Sequence, residues 1–244
     1  MFIRYKEKYR RVFAASFIFF CIAVLIKTSP SYLLCAPTLE NYKYFSHFQS
    51  LVGYTGGIIN PNCGTVGKKR VSLGLNKFNV GVLYGLTNNI ETGLHFNLKQ
   101  LTPFTAFDDE NFRRKADEIS IDSKIKIFSE DDYGFDMALG HRRSVIYWVA
   151  ERYFPGIYDI TISGGFRVYY NGAPSEKTKL FFTLTQTQEE HRFVYDYDDS
   201  VSSQNIGWRF LLSPDVSFDV FVIDFTRYRN FFENVYFGVS VIWI

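Results

Sequence analysis

Residues 119–127 read Ile-Ser-Ile-Asp-Ser-Lys-Ile-Lys-Ile, and this stretch decides the fold. Isoleucines occupy one set of alternate positions: Ile119, Ile121, Ile125 and Ile127. Polar or charged residues occupy the other set: Ser120, Asp122, Lys124 and Lys126. A period of two places these sets on opposite faces of an extended strand. The stretch therefore predicts a strand with one apolar face and one charged face.

The same alternation recurs from residue 70 to the C-terminus, and no segment beyond residue 70 has the helical period. We predict twelve antiparallel strands with bounds 70–77, 79–86, 90–99, 118–128, 133–142, 145–154, 158–170, 178–187, 191–197, 204–212, 215–225 and 234–243. Several are about ten residues long, which is the length that a tilted strand needs to cross a bilayer. An even number of strands is also usual for a single-chain bacterial barrel.

The links between these strands alternate in length. Short links are predicted at 87–89, 129–132, 155–157, 188–190 and 213–214. Long links fall on the opposite side, at 100–117, 171–177, 198–203 and 226–233, where the first hairpin and the link at 143–144 are tight exceptions. Short periplasmic turns and longer outer loops are typical of outer-membrane barrels. The predicted fold is therefore all-β: an antiparallel up-and-down transmembrane β-barrel of about twelve strands, preceded by a signal peptide helix.

If lipid covers the apolar face, the charged face lines the lumen. The candidate lumen-facing residues are Glu91, His95, Asp122, Lys124, Lys126, Asp136, Arg167, Lys179, Arg209 and Asp219. They carry both signs of charge, so we expect no strong ion selectivity. Aromatic residues near strand ends are assigned to the lipid face as interfacial girdles: Tyr153, Tyr158, Tyr170 and Trp243.

Residues 1–36 have the pattern of a signal peptide. A basic start is followed by fifteen uncharged residues, 12–26, which are too few for a spanning helix of about 20 residues. An uncleaved signal anchor is the alternative. We predict three parts: a signal peptide at 1–36, a periplasmic or plug segment at 37–69, and the barrel at 70–244. Cleavage after Ala36 would leave Cys63 as a single thiol that has no partner for an intramolecular disulfide.

Charge and composition argue against other classes of function. The leader holds six of the 27 basic residues and one of the 25 acidic residues, so the remaining chain is mildly acidic. No basic stripe indicates nucleic-acid binding. The four histidines lie far apart in the sequence without a metal-ligand spacing, and no Gly-x-Ser-x-Gly motif occurs. We expect no catalytic residues, no cofactor and no metal.

The predicted function is therefore structural or related to transport. Two alternatives from other classes remain open. One is an outer-membrane enzyme with a lumen or loop site, for which His95 and Glu91 share the polar face of one strand. The charged loop 107–115 could bind a cation or a glycan, although a charge run is usually a solvated loop. The other is a soluble periplasmic lipocalin-like binding barrel, in which the apolar face would point inward.

Two segments resemble a known family. Residues 53–62 read Gly-Tyr-Thr-Gly-Gly-Ile-Ile-Asn-Pro-Asn, and residues 84–94 read Tyr-Gly-Leu-Thr-Asn-Asn-Ile-Glu-Thr-Gly-Leu. They resemble the opening of the YjbH-like bacterial outer-membrane β-barrel family, which is associated with exopolysaccharide production. The resemblance implies an outer-membrane location and a role in polysaccharide export, with polysaccharide as a candidate partner. It brings no catalytic residues.

The last strand points to two further partners. Residues 236–244 read Tyr-Phe-Gly-Val-Ser-Val-Ile-Trp-Ile, which resembles the C-terminal signal that the barrel assembly machinery recognises. We therefore expect that machinery to bind the last strand, and outer-membrane lipid to surround the folded barrel.

A gel experiment tests the predicted class. The protein should require detergent for extraction and should migrate faster unheated than after boiling, because a closed barrel stays folded and compact in cold detergent. Release from the periplasm without detergent would instead identify the soluble binding barrel.

Overall fold

Twelve strands form the fold in a computed structural model that describes residues 45, 47–51, 54–76, 79–97, 119–155, 159–170, 178–227 and 234–243. The strands are β1 (Val71–Asn76), β2 (Asn79–Gly85), β3 (Ile90–Asn97), β4 (Ile119–Phe128), β5 (Asp136–Arg142), β6 (Val145–Phe154), β7 (Ile160–Tyr169), β8 (Thr178–Gln188), β9 (His191–Asp198), β10 (Ser203–Ser213), β11 (Val216–Val222) and β12 (Val235–Trp243). A short helix α1 spans Glu130–Tyr133, and a 3-10 turn spans Phe225–Arg227. Within the described ranges, no helix is both long enough and apolar enough to span a membrane.

The strands close into a barrel. Each pairs antiparallel with its neighbour in sequence, and β1 pairs with β12 to complete the ring. At this closing seam Asn76 faces Gly238, where a Cβ atom would lie only 1.7 Å from Asn76 Oδ1. The predicted all-β, twelve-strand barrel is thus confirmed. The predicted signal peptide and loop 107–115 lie outside the described residues.

The two faces of the sheet differ as an outer-membrane barrel requires. Ile121 is 64% exposed on the outer surface, and Ile119, Ile125 and Ile127 are also exposed. Lys124, between them in sequence, is only 2% exposed on the inner surface. A continuous exposed apolar surface around a closed sheet suits contact with lipid. This orientation is the reverse of the lipocalin-like alternative, in which the apolar face would be inside.

The barrel has two unlike ends. We call one the turn end, where short links such as Glu189–Glu190 and Pro214–Asp215 join the strands. The other is the loop end, where β3 ends and β4 begins, and where β7 ends and β8 begins. Strands β1, β3, β5, β7, β9 and β11 run from the turn end to the loop end.

Two local predictions are wrong. Residues 133–135 were assigned to a strand, but Glu130–Tyr133 forms helix α1, which ends at Gly134 in the left-handed conformation (φ 76°), so β5 begins only at Asp136. Tyr153 was assigned to the lipid face but is 8% exposed and points inward on the same face as Glu151. Its hydroxyl donates a hydrogen bond to the Asp159 carboxylate, and this bond stabilises the inward orientation of the ring. Tyr158 lies outside the described residues.

A charge placed on the outer face tests the lipid contact. Leu94 is 43% exposed in the middle of β3, opposite Val82 and Ile121. Leu94→Lys should lower the free energy of unfolding in lipid by about 2–4 kcal/mol, because a lysine near the bilayer midplane is poorly solvated.

Leu86→Lys is the matched control, because Leu86 is 50% exposed but follows β2 at the turn end. It should change the stability by less than about 1 kcal/mol. Equal effects of the two substitutions in urea titrations of liposome-embedded protein would contradict a lipid-facing Leu94.

Candidate functional site: a plugged lumen

The described residues between 45 and 67 lie inside the barrel, and we call this segment the plug. Phe45, Phe48, Thr55, Ile58 and Asn60 are each 0% exposed. Their partners are inward-facing wall residues from all around the ring, as the contacts below show. The sequence left two interpretations of this segment open, a periplasmic segment or a plug. Its described residues occupy the lumen.

Three apolar clusters hold the plug against the wall. Phe48 and Val66 pack with Leu83 of β2 and Ile242 of β12. Leu51 and Ile58 pack with Val194 of β9 and Phe221 of β11. A third cluster joins Tyr54 and Cys63 to β5, β6 and β8 through Ala138, Tyr147, Val149 and Phe181. Burial of a side chain of this size stabilises by about 1.5–3 kcal/mol, so the plug is held firmly.

Arg209 forms the central polar anchor. The side chain is 1% exposed, and its Nε atom lies 2.7 Å from Oδ1 of Asp219 on the neighbouring strand. Its Nη1 donates to the carbonyl oxygen of Gly56 at 3.1 Å, and its Nη2 to that of Gln49 at 2.7 Å. One guanidinium thus completes a wall ion pair and binds two plug carbonyls at once, which the five donors of arginine allow.

A second anchor lies toward the loop end. Arg167 of β7 forms an ion pair with Asp198 of β9, and its Nη2 donates to Asn60 Oδ1 at 2.9 Å and to the Ile59 carbonyl oxygen at 3.1 Å. Asp196 Oδ2 accepts backbone N–H groups of the same plug turn: Ile58 at 2.7 Å, Ile59 at 2.7 Å and Asn60 at 3.1 Å. Three convergent amides make a concave anion-binding site, which the carboxylate fills.

A third anchor joins β3 and β4 to two parts of the plug, one at Thr55 and the other at Val66. Lys124 Nζ lies 3.1 Å from Glu91 Oε1 and donates to the carbonyl oxygens of Thr55 and Asn62 at 3.3 Å each. Glu91 Oε1 accepts from the Thr55 hydroxyl at 3.0 Å, and Oε2 accepts from the Val66 N–H at 3.0 Å. The pair therefore bridges residue 55 and residue 66 of the plug.

The remaining candidate lumen residues form smaller pairs. Lys126 Nζ is 2.7 Å from Asp136 Oδ1 near the turn end. Arg142 lies between Asp122 at 3.3 Å and His95 Nδ1 at 3.1 Å. Lys179 is partly buried at the start of β8, where it faces Arg167 in the strand register.

Sequence reasoning missed several groups that hold the plug. Asp196 and Arg142 lie at inward positions of predicted strands, so the alternation that found Arg209 could also have found them. Asp198 was assigned to the link 198–203, but β9 extends through it. Phe181 also points inward and packs under Arg167, with 4.7 Å from the guanidinium to the ring centre. The alternation places Phe181 on the same face as Lys179 and Thr183, but its packing partner Tyr54 is too distant in sequence for a local pattern to reveal.

The plug itself carries no formal charge. Residues 45–67 contain no Asp, Glu, Lys or Arg. Five ion pairs between described residues of the lumen each join two wall residues: Glu91–Lys124, Lys126–Asp136, Asp122–Arg142, Arg167–Asp198 and Arg209–Asp219. The plug contributes uncharged hydrogen-bonding groups and apolar contacts, so these five pairs keep their partners whether or not it is in place. Asp196 differs, because its carboxylate accepts N–H groups of the plug.

The two residues considered for an enzyme are engaged separately. Glu91 pairs with Lys124, whereas His95 lies against Arg142. Within the described part of the chain, no group of three His, Cys, Asp or Glu side chains could hold a metal ion.

Comparison with solved structures finds porins. The KdgM porin aligns with a TM-score of 0.42 and 11% identity over 72% of this chain and 97% of the porin. An engineered Rhodopseudomonas blastica porin aligns with a TM-score of 0.34 and 11% identity over 68% of this chain, which spans only 55% of that porin. No protein-family model and no curated protein matches the chain. At these scores, the assignment of the fold rests on the strand order of this chain itself.

Removal of the central anchor should destabilise the barrel strongly. Arg209→Met leaves Asp219, which is 0% exposed, without its charge partner. Loss of one member of a buried pair costs about 3–5 kcal/mol, measurable by urea unfolding in detergent. Arg227→Met is the control, because Arg227 is 57% exposed and lies 3.8 Å from Asp224; it should cost about 0–1 kcal/mol. Similar losses in both variants would argue against Arg209 as an anchor.

Proposed function

We propose that this chain is a porin-like outer-membrane channel whose lumen is closed at rest by its own N-terminal plug. The observation that carries the proposal is the occupation of the lumen by the described residues of the plug, with Phe48 and Ile58 fully buried against the wall. A twelve-strand barrel is wide enough to leave a passage when nothing fills it. Passage of a solute therefore requires the plug to shift.

The charge distribution supports a plug that can move. When an uncharged segment leaves, these five wall ion pairs remain intact, and water can replace the lost hydrogen bonds, including those that the Asp196 carboxylate accepts from the plug. A plug that itself neutralised wall charges would leave buried charges unpaired, at a cost of several kcal/mol each. The apolar clusters still favour the closed state, so openings of the unmodified channel should be rare.

Conductance across a planar bilayer tests this proposal. The wild-type protein should show only brief, infrequent openings. The double variant Phe48→Ala/Ile58→Ala, which we call the weakened plug, removes two buried apolar side chains, at about 2–5 kcal/mol each. It should raise the open fraction of the channel strongly without changing the wall.

A disulfide lock provides the matched control. Cys63 Sγ lies 3.4 Å from the Val149 carbonyl oxygen, and the two residues share one apolar cluster. Val149→Cys in the weakened-plug background should form a disulfide with Cys63 and abolish the openings until a reductant is added. The same variant with Cys63→Ser should stay open under both conditions.

Two outcomes would overturn the proposal. A large, steady current from the wild type, unaffected by the lock, would mean that the plug does not close the lumen. Silence of every variant, including the weakened plug, would identify a barrel with a structural role only.

The polysaccharide role implied by the YjbH-like resemblance stays a prediction, as do lipid and the barrel assembly machinery as partners. Deletion of the gene followed by measurement of secreted exopolysaccharide tests the first. If the plug opens in response to its natural substrate, a deletion strain that carries the weakened-plug variant should secrete no more exopolysaccharide than one that carries the wild type.

A further inference from the structure

The plug does not meet the wall equally on all sides. On the turn-end half of β7 and β8, the wall presents four hydroxyl side chains in two register-paired rungs, which we call the hydroxyl face. Thr161 lies opposite Thr185, and Ser163 lies opposite Thr183. Glu151 of β6 and Arg192 of β9 flank this face, and a gap separates it from Gly56, Gly57 and Asn62 of the plug.

Two of the four hydroxyls have no protein partner. Thr161 Oγ1 and Thr185 Oγ1 are buried, with their residues 3% and 6% exposed, and neither makes a hydrogen bond within the described residues. The gap has room for about one water molecule. Buried hydroxyls are satisfied by protein or by ordered water, so water is the ligand that these groups require.

Other parts of the plug surface contact the wall directly. On the opposite wall, Gln49 Nε2 donates to the Ser72 carbonyl oxygen at 2.8 Å and to its hydroxyl at 3.1 Å. Gly74 lies so close to this amide that a Cβ would be 2.7 Å from Gln49 Oε1. Apolar clusters close the wall beside β2, β12 and β11. The hydroxyl face differs from these parts because its unpartnered hydroxyls lie beside a gap the size of one water molecule.

We propose that the hydroxyl face is a hydrated seam and the conduit of this channel, along which water and small uncharged polar solutes pass when the plug shifts. The plug separates more easily where water already lies between the surfaces, because fewer direct contacts must break there. Hydroxyls both donate and accept hydrogen bonds, and the flanking Glu151 and Arg192 contribute one charge of each sign. The conduit therefore favours neutral hydrophilic solutes over either sign of ion; this inference rests on the proposed channel function.

Cysteine accessibility tests the seam separately from conduction. Thr185→Cys and Ser72→Cys are placed singly in the Cys63→Ser background, and each folded protein is exposed to methanethiosulfonate reagents of matched size. Both positions are buried, Ser72 at 0% and Thr185 at 6% exposed, so exposure alone does not separate them. The neutral reagent should label Thr185→Cys about tenfold faster than Ser72→Cys, and faster than the cationic or anionic reagent does. Thr161→Cys serves as a second seam variant if Thr185→Cys fails to fold.

Conductance of the labelled proteins gives the second readout. In the weakened-plug background, a label at Thr185→Cys should block most of the current, whereas a label at Ser72→Cys should leave most of it. Equal labelling rates at the two positions, or block from position 72 only, would overturn the conduit while leaving the channel proposal intact. Absence of current from every unlabelled variant would contradict the channel itself, and the labelling rates would still decide whether the seam is hydrated.

Discussion

The structure depends on the pairing of buried charges inside a sheet whose other face is apolar and exposed. Because apolar side chains occupy the outward positions of the strands, the charged residues that alternate with them point into the lumen. A charge removed from water is tolerated only when a partner and further hydrogen bonds accompany it. Arg209 meets that requirement with Asp219 and two plug carbonyls, and Lys124 meets it with Glu91 and two more.

This requirement explains the composition of the plug. Because ten of the wall charges already form five ion pairs with one another, the segment between them needs backbone carbonyls, amides and apolar side chains rather than charges of its own. Gly57 illustrates the close fit, since a Cβ there would lie 2.6 Å from Asp196 Oδ1. The turn that begins at this glycine offers three N–H groups to that carboxylate. An uncharged plug in a wall of balanced charge is consistent with a closure that can be reversed.

The hydroxyl face departs from direct pairing between plug and wall. Much of the described plug meets the wall through side-chain hydrogen bonds or apolar packing, but beside Thr161 and Thr185 unpartnered hydroxyls border a gap. A firmly anchored plug with one hydrated sector has a preferred direction in which to separate from the wall. The same polar wall that stabilises the closed barrel could thus line a passage.

The sequence alone determined the class, the strand number and the inward face, because a period of two is a local property that each strand repeats on its own. It identified Glu91, Lys124, Arg167 and Arg209 as inward-facing for the same reason. It assigned Tyr153 and residues 133–135 wrongly, because a hydrogen bond to Asp159 and a helical turn outweighed the alternation at those strand ends. Only the tertiary structure placed the plug in the lumen, since its contacts join residues as distant as Ile58 and Asp196, and no local pattern encodes such a pairing.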